Sequence, residues 1–259
     1  MKLEFYKYQG AGNDFIMIDN RSGFFEHDNQ ALIESLCHRR FGVGADGLIL
    51  LENAIGYDFR MVYYNSDGRE ASMCGNGGRC IVAFARQLGI ISTSTVFIAS
   101  DGPHEANVDD LGLVDLKMID VERIESLVDG YFLNTGVPHL VHFVDDLHTI
   151  DVELEGRQLR WDARFQPAGT NVNFVKIEGD HLTVFTYERG VEAETLACGT
   201  GITASALSAA FKAGKISGEY KITAKGGDLT VRFQQDSGRY TNIWLKGPAL
   251  LVYDGFVTI

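Results

Sequence analysis

Apolar residues in the first part of this chain fall in short runs bounded by Gly, Asn and Asp. "FIMID" (Phe15 to Asp19), "LILLE" (Leu48 to Glu52) and "FRMVYY" (Phe59 to Tyr64) read as strands on that basis. The pattern changes in "DNQALIESLCHRRFG", where Leu32, Leu36 and Cys37 share one helical face. That spacing predicts a helix capped by Asp28 and closed at Gly42. "NSDG" at Asn65 to Gly68 is turn chemistry.

Two later runs are helical in a different way. After Cys74, Ile81, Val82, Ala85 and Leu88 line the apolar side of a helix that should end at Gly89. After Cys198, residues from Ile202 to Phe211 are small or apolar almost all round, with no charge before Lys212 and a closing Gly214. A helix without a polar face belongs in a core. Strand-like runs surround both: "TVFIAS", "LVDLKMI" and "YFLN" after the first, "NVNFVKI" and "LTVFTYE" before the second. "YKITA", "DLTVRF", "NIWLKG" and "LLVYDGFVTI" come last. Each half thus supplies many strands and one buried helix. The expected fold is α+β: two pseudo-symmetric domains, each a curved, barrel-like sheet around a central helix. The expected domains are residues 1–119, completed by the last strand at 249–259, and 120–248.

A chain of 259 residues can bury two such cores. With 35 acidic and 23 basic side chains, the net charge of -12 argues against a general nucleic-acid binder. It leaves room for a small anionic substrate, because a few local donors outweigh a distant negative field. "MKLEFYKYQGAGNDF" lacks the uninterrupted apolar core of a signal peptide, and no apolar run reaches membrane-spanning length. The cytoplasm is therefore the expected compartment, with no membrane partner. There Cys37, Cys74, Cys80 and Cys198 should be reduced thiols.

The chemistry lies in a repeated pattern. "SMCGNGGRC" and "LACGTG" both place Cys-Gly-X-Gly just before a helical run. A helix start offers unpaired N–H donors and a partial positive charge, which bind anions and lower a thiol's pKa. Cys37, on an amphipathic face, and Cys80, inside a running helix, read as buried apolar fillers. Cys74 and Cys80 lack the paired Cys-X2-Cys spacing of a zinc site, no Cys-X-X-Cys suggests a dithiol centre, and no Gly-Lys-Ser/Thr ends a P-loop. Neither metal nor cofactor is expected. If the two domains face each other across a cleft, two helix starts converge on one carboxylate and two sulfurs flank the adjacent carbon. One thiolate removes the α-proton, the other thiol delivers a proton from the far side, and the centre inverts.

Several motifs in order carry a family resemblance: "GAGNDFIMID", "RRFGVGADGLILLE", "YYNSDGREASMCGNGGRC", "NTGVPHLVHFV", "GTNVNFV", "TYERGVEAETLACGTG" and "KGGDLTV". The chain resembles diaminopimelate epimerases, cofactor-independent enzymes that interconvert LL- and meso-diaminopimelate in lysine and peptidoglycan-precursor biosynthesis. The resemblance implies that Cys74 and Cys198 are the proton-transfer thiols. It implies that the amides of Gly75, Asn76, Gly199 and Thr200 hold the reacting carboxylate, with Asn13 nearby. Asn65, Asn173 and Arg189 would bind the distal amino-acid group of the substrate, Arg189 through its planar fork, and Glu188 would also contact substrate. His139 and Glu188 would help set the thiols' protonation states. The substrate is then diaminopimelate, and a homodimer is left open as the assembly. Two positions depart from the pattern: Gly47 replaces a glutamine found in some members, and Val137 precedes Pro138-His139 where others have asparagine. A proline or hydroxyproline racemase shares the two-thiol logic but usually has Gly-His after its first cysteine, against Gly75-Asn76 here. A third reading is a non-catalytic amino-acid-binding protein.

Overall fold

The computed structural model describes residues 2–27 and 29–259. They form two compact units, Met1–Leu116 with Gly247–Ile259, and Lys117–Lys246. In the first unit the strands are β1 (Lys2–Gly10), β2 (Asn13–Asp19), β3 (Gly47–Glu52), β4 (Arg60–Asn65), β5 (Glu70–Ala71), β6 (Ser94–Ala99), β7 (Gly102–Val108) and β8 (Val114–Lys117). The C-terminal strand, Leu250–Thr258, runs antiparallel to β1. From there β1 pairs antiparallel with β2, β2 parallel with β3, and β3 antiparallel with β4. The short β5 pairs with β4, which meets β6 in parallel at Arg60 and Ile98, and β6, β7 and β8 follow antiparallel.

Two helices cover this sheet, α1 (Gln30–Cys37) and α2 (Gly75–Gln87). Their placement explains why β3 is an unbroken apolar run, since a strand covered on both faces needs no polar alternation. Leu48 and Leu50 share a buried cluster with Ile33, Leu36 and Cys37 of α1. Ile49 points the other way, where its Cδ1 would be 3.1 Å from a Cβ added at Gly77 of α2. Strands β1, β2, β3 and β7 and the C-terminal strand all pack against α2, so the sheet curves around it.

The expected α1 stops short. Asn29 is its cap, accepting Leu32 N–H at 3.1 Å, while Asp28 lies outside the described residues. The chain turns extended at His38, whose Nδ1 accepts the amides of Arg40 and Phe41. Gly42 does not end a continuing helix; it lies against the helix end, where a Cβ would be 2.1 Å from the Ser35 carbonyl oxygen.

The second unit repeats this topology. Its strands are β9 (Glu125–Leu127), β10 (Gly130–Asn134), β11 (Pro138–Phe143), β12 (Asn171–Glu178), β13 (His181–Glu188), β14 (Ala193–Thr195), β15 (Ser217–Ala224), β16 (Gly227–Asp236) and β17 (Arg239–Gly247). β9, β10 and β11 are antiparallel, β11 and β12 parallel, and β12 and β13 antiparallel. β14 leans on β13, β15 joins β13 in parallel, and β16 and β17 close antiparallel. Helix α3 (Val152–Arg160) holds the place of α1, and α4 (Gly199–Ala213) that of α2. Strands β10, β11, β12, β13, β15 and β16 surround α4. As its sequence requires, every α4 residue from Gly201 to Ala210 is buried.

Sequence patterning showed no sign of α3. Only Val152, Gly156 and Arg160 of its nine residues are buried, and Leu154 is exposed. What fixes it is a cap from Asp151 to Leu154 N–H at 3.0 Å and close packing at Gly156, where a Cβ would lie 2.5 Å from that of Tyr187.

Candidate active site

Both repeated cysteines are helix N-caps: Cys74 opens α2 and Cys198 opens α4. The reason is local. Cysteine in an extended conformation ends the incoming segment, and the following Gly-X-Gly lets the first turn pack tightly. At Gly77 an added Cβ would stand 3.2 Å from Cys74 Sγ, and at Gly201 one would stand 2.3 Å from Asn173 Oδ1.

In the first unit Cys74 Sγ accepts the Gly77 N–H at 3.3 Å, so the thiol performs the capping usually done by an oxygen. Gly75 and Asn76 form the buried first turn. Asn76 Nδ2 donates to Asn13 Oδ1 at 2.6 Å, and Asn13 Nδ2 donates to Asp46 Oδ2 at 2.9 Å. Asp46 belongs to an ion cluster: Arg39 bonds Asp46 at 2.6 Å and forks onto Asp14 at 2.7 and 2.9 Å, and Lys7 pairs with Asp14 at 2.8 Å. Burial works against the Asp14 anion, but the bonds from Arg39 and Lys7 outweigh it and hold the carboxyl well below the usual range. Asn13 is thus clamped by its neighbours, not free in a turn. Asn65 ends β4, exposed, in a turn where its N–H meets the Arg69 carbonyl at 3.0 Å. At Gly47 a Cβ would fall 2.4 Å from the Tyr64 carbonyl oxygen and 2.6 Å from the Tyr63 ring, so this backbone admits no glutamine there.

In the second unit hydrogen-bond directions can be assigned. Asn173 lies within 3.2 Å of the Leu140 carbonyl, which can only accept, so that amide edge is its NH2. The same NH2 meets His139 Nδ1 at 3.1 Å, which makes Nδ1 an acceptor and puts the ring proton on Nε2. Nε2 therefore donates to Thr200 Oγ1 at 2.9 Å, leaving the hydroxyl proton for Cys198 Sγ at 3.3 Å. Burial, with the Arg189 charge adding to it, pushes the His139 imidazole down to about 3, so it is neutral at ordinary pH.

Asn173, expected at the distal end of a substrate, has no exposed surface. Its two amide hydrogens go to His139 and Leu140, and its carbonyl accepts from Thr186 at 3.0 Å. The asparagine facing Arg189 is Asn171, which sequence reading passed over; its Oδ1 accepts Arg189 N–H at 2.9 Å and its Nδ2 donates to the Pro138 carbonyl at 3.0 Å. The signal was present in alternation: Asn171 and Asn173 share one face of β12, and Asn171 pairs in register with His139 at the start of β11. Arg189 follows β13 with its guanidinium partly exposed. Glu188 ends β13 partly buried; burial pushes its carboxyl up while the Thr195 side chain works the other way. Gly199 is buried, and the Thr200 carbonyl accepts from Thr135 Oγ1 at 2.9 Å. Cys37 and Cys80 are buried, and burial raises both thiols, Cys37 to about 12.

Comparisons by sequence with known proteins agree on one family. The family model described as diaminopimelate epimerase matches residues 5–119 and 131–252. A diaminopimelate epimerase of Flavobacterium psychrophilum is 52% identical over 254 residues, covering 97% of this chain and 99% of that protein. One from Chlorobaculum tepidum is 44% identical, covering 96% and 99%. Among solved structures, a PhzF-family phenazine biosynthesis protein of Bacillus anthracis aligns over all of both chains with a TM-score of 0.80 at 16% identity. A hydroxyproline epimerase from Agrobacterium vitis aligns over 99% of this chain and 92% of its own with a TM-score of 0.71 at 14% identity. These two likenesses speak for the fold alone. No helix among the described residues is long and apolar enough to cross a membrane.

Two outcomes follow from this geometry. Thr200→Val removes the hydroxyl that donates to Cys198 and should slow alkylation of Cys198 at pH 7 several-fold, whereas Thr200→Ser should retain the wild-type rate; peptide-resolved mass spectrometry reads both. His139 titrates near ~6.5 when unfolded and about 3 when folded, so the unfolded state binds the extra proton between those values. Its contribution is present above pH ~6.5 and is lost as pH falls toward 3, by up to about 1.4 kcal/mol per pH unit. Urea midpoints at pH 7 and 5 should therefore fall more for wild type than for His139→Gln.

Proposed function

We propose that this chain, which belongs to the diaminopimelate epimerase family, inverts one α-carbon of diaminopimelate by proton transfer through Cys74 and Cys198. The observation that carries the reading is the paired helix N-cap: each cysteine stands at the start of a buried helix whose first turn is opened by glycine. A carboxylate gains negative charge as its α-proton leaves, and preorganised helix amides stabilise that charge most in the transition state. One cysteine, as thiolate, takes the proton; the other, as thiol, returns one to the opposite face; reversal exchanges their roles. No PLP or metal is required, because thiols and amides supply both the acid–base pair and the charge stabilisation.

In this reading the amides of Gly75, Asn76, Gly199 and Thr200 hold the reacting carboxylate, and Asn13 supports Asn76. Arg189, Asn65 and Asn171 meet the distal amino-acid group. Asn173 acts through His139, and His139 through Thr200. Glu188, partly desolvated, helps set protonation beside them. The protein works in the cytoplasm on a small free amino acid. It works as a homodimer, for which the support is the C-terminal strand: Leu250, Leu251, Val252, Tyr253 and Phe256 are 40–57% exposed, an apolar row that solvent disfavours.

Incubation with meso-diaminopimelate in deuterated water should give the LL isomer carrying α-deuterium, with loss of turnover in Cys74→Ala and in Cys198→Ala. Unchanged epimerisation in either variant would defeat the two-thiol reading, whereas tight binding without exchange in wild type would favour a binding protein. For assembly, sedimentation velocity should give a dimer that Leu250→Asp with Val252→Asp converts to monomer; a wild-type monomer at micromolar concentration would exclude this interface.

A further inference from the structure

Arg79, one turn into α2, has no exposed surface and no carboxylate partner among the described residues. Its three acceptors are neutral: the Gly75 carbonyl at 3.2 Å, Asn76 Oδ1 at 2.8 Å and, more weakly, the Pro248 carbonyl at 3.5 Å. An isolated buried cation is expensive unless something anionic offsets it. The other arginine buried among the described residues, Arg160, does have a carboxylate, Glu192 at 3.1 Å.

The groups around it narrow the choice. On α2 itself the titratable neighbours are Cys80 and, at the cap, Cys74. From β1, Tyr8 faces Cys80 and bonds Gln87. Lys7, Asp14, Arg39 and Asp46 reach this turn only through Asn13 and Asn76. Ile49 of β3 and Met61 of β4 at Gly77, and Leu116 of β8 at Gly78, are apolar. Cys80 has no exposed surface, and burial raises its thiol far above the usual range against the pull of Arg79, so it stays neutral. Cys74 is partly exposed and, among the described residues, is the remaining neighbour of Arg79 that can become an anion.

We propose that Arg79 is a positioning residue whose buried, unneutralised charge stabilises the Cys74 thiolate from inside the protein. Its guanidinium also has a geometric effect. By occupying Asn76 Oδ1 it turns the Asn76 NH2 toward Asn13 Oδ1, which in turn fixes the Asn13 NH2 on Asp46. This inference rests on reading Cys74 as a reacting thiol, but its test does not depend on turnover.

The test measures alkylation of Cys74 by iodoacetamide from pH 5.5 to 9.5 in the Cys198→Ser protein, resolved by peptide mass spectrometry. Cys74 should titrate below the ordinary thiol value of ~8.5. Adding Arg79→Met should raise that titration by about one unit, making alkylation about tenfold slower at pH 7. Arg79→Lys keeps the charge but not the fork and should stay near the parent value. A folded Arg79→Met protein with an unmoved Cys74 titration would overturn the proposal, as would a lysine variant displaced as far as the methionine one. Should neither variant fold, Arg79→Gln takes the place of the methionine variant under the same criterion, and a parent Cys74 titrating at or above ~8.5 overturns the proposal outright. A chain that epimerises nothing could still pass this test, so the two readings fail separately.

Discussion

Everything at the candidate site depends on helices that begin inside the protein. A helix start leaves its first amides without partners, and burying them without acceptors is costly. Surface helices of this chain meet the cost ordinarily, with Asn29 capping α1 and Asp151 capping α3. The two central helices do not. At α2 a sulfur takes one amide, and at α4 the cap side chain makes no capping hydrogen bond to the helix backbone. A weak side-chain cap at one start and none at the other set these two helices apart from α1 and α3.

The two starts share topology but not chemistry. At α2 the local field comes from a charge, Arg79, with Asn76 and Asn13 held as a rigid polar strut. At α4 it comes from a neutral relay in which Asn173 dictates the His139 tautomer and His139 dictates the Thr200 hydroxyl. A charge acts through space and is screened little when buried. A hydroxyl donor acts only on contact, and is lost entirely if the relay is broken at any member. The two helix-start thiols thus have surroundings of different kinds, so a change beside one need not disturb the other.

Much of this was legible in the sequence, and the reasons are specific. Cys-Gly-X-Gly before an apolar run announces a buried helix start, because glycines are needed where Gly77 and Gly201 approach Cys74 and Asn173. The run "LILL" announced a strand, and its unbroken apolarity reflects cover on both faces, by α1 and by α2. What escaped was set by tertiary contacts. α1 ends at Cys37, not Gly42, because the His38 ring takes over the amides beyond it. α3 shows no apolar stripe because Gly156, which carries no hydrophobic signal, makes its closest contact. Asn171 and Asn173 look alike in "TNVNF", and only burial tells the asparagine beside Arg189 from the one that orients His139.

Arg79 was invisible for a related reason. In "GNGGRC" an arginine reads as a solvated charge, since side chains of this type almost never bury without a partner. The surrounding glycines change that: with Gly75, Gly77 and Gly78 providing no side chains, the first turn of α2 lets the arginine fold back on its own carbonyls. The net charge of -12 is no guide to the field at such a place, because exposed carboxylates beyond ~10 Å are screened while a desolvated guanidinium is not. An acidic protein can in this way carry a locally cationic interior, with its sign set by one buried residue.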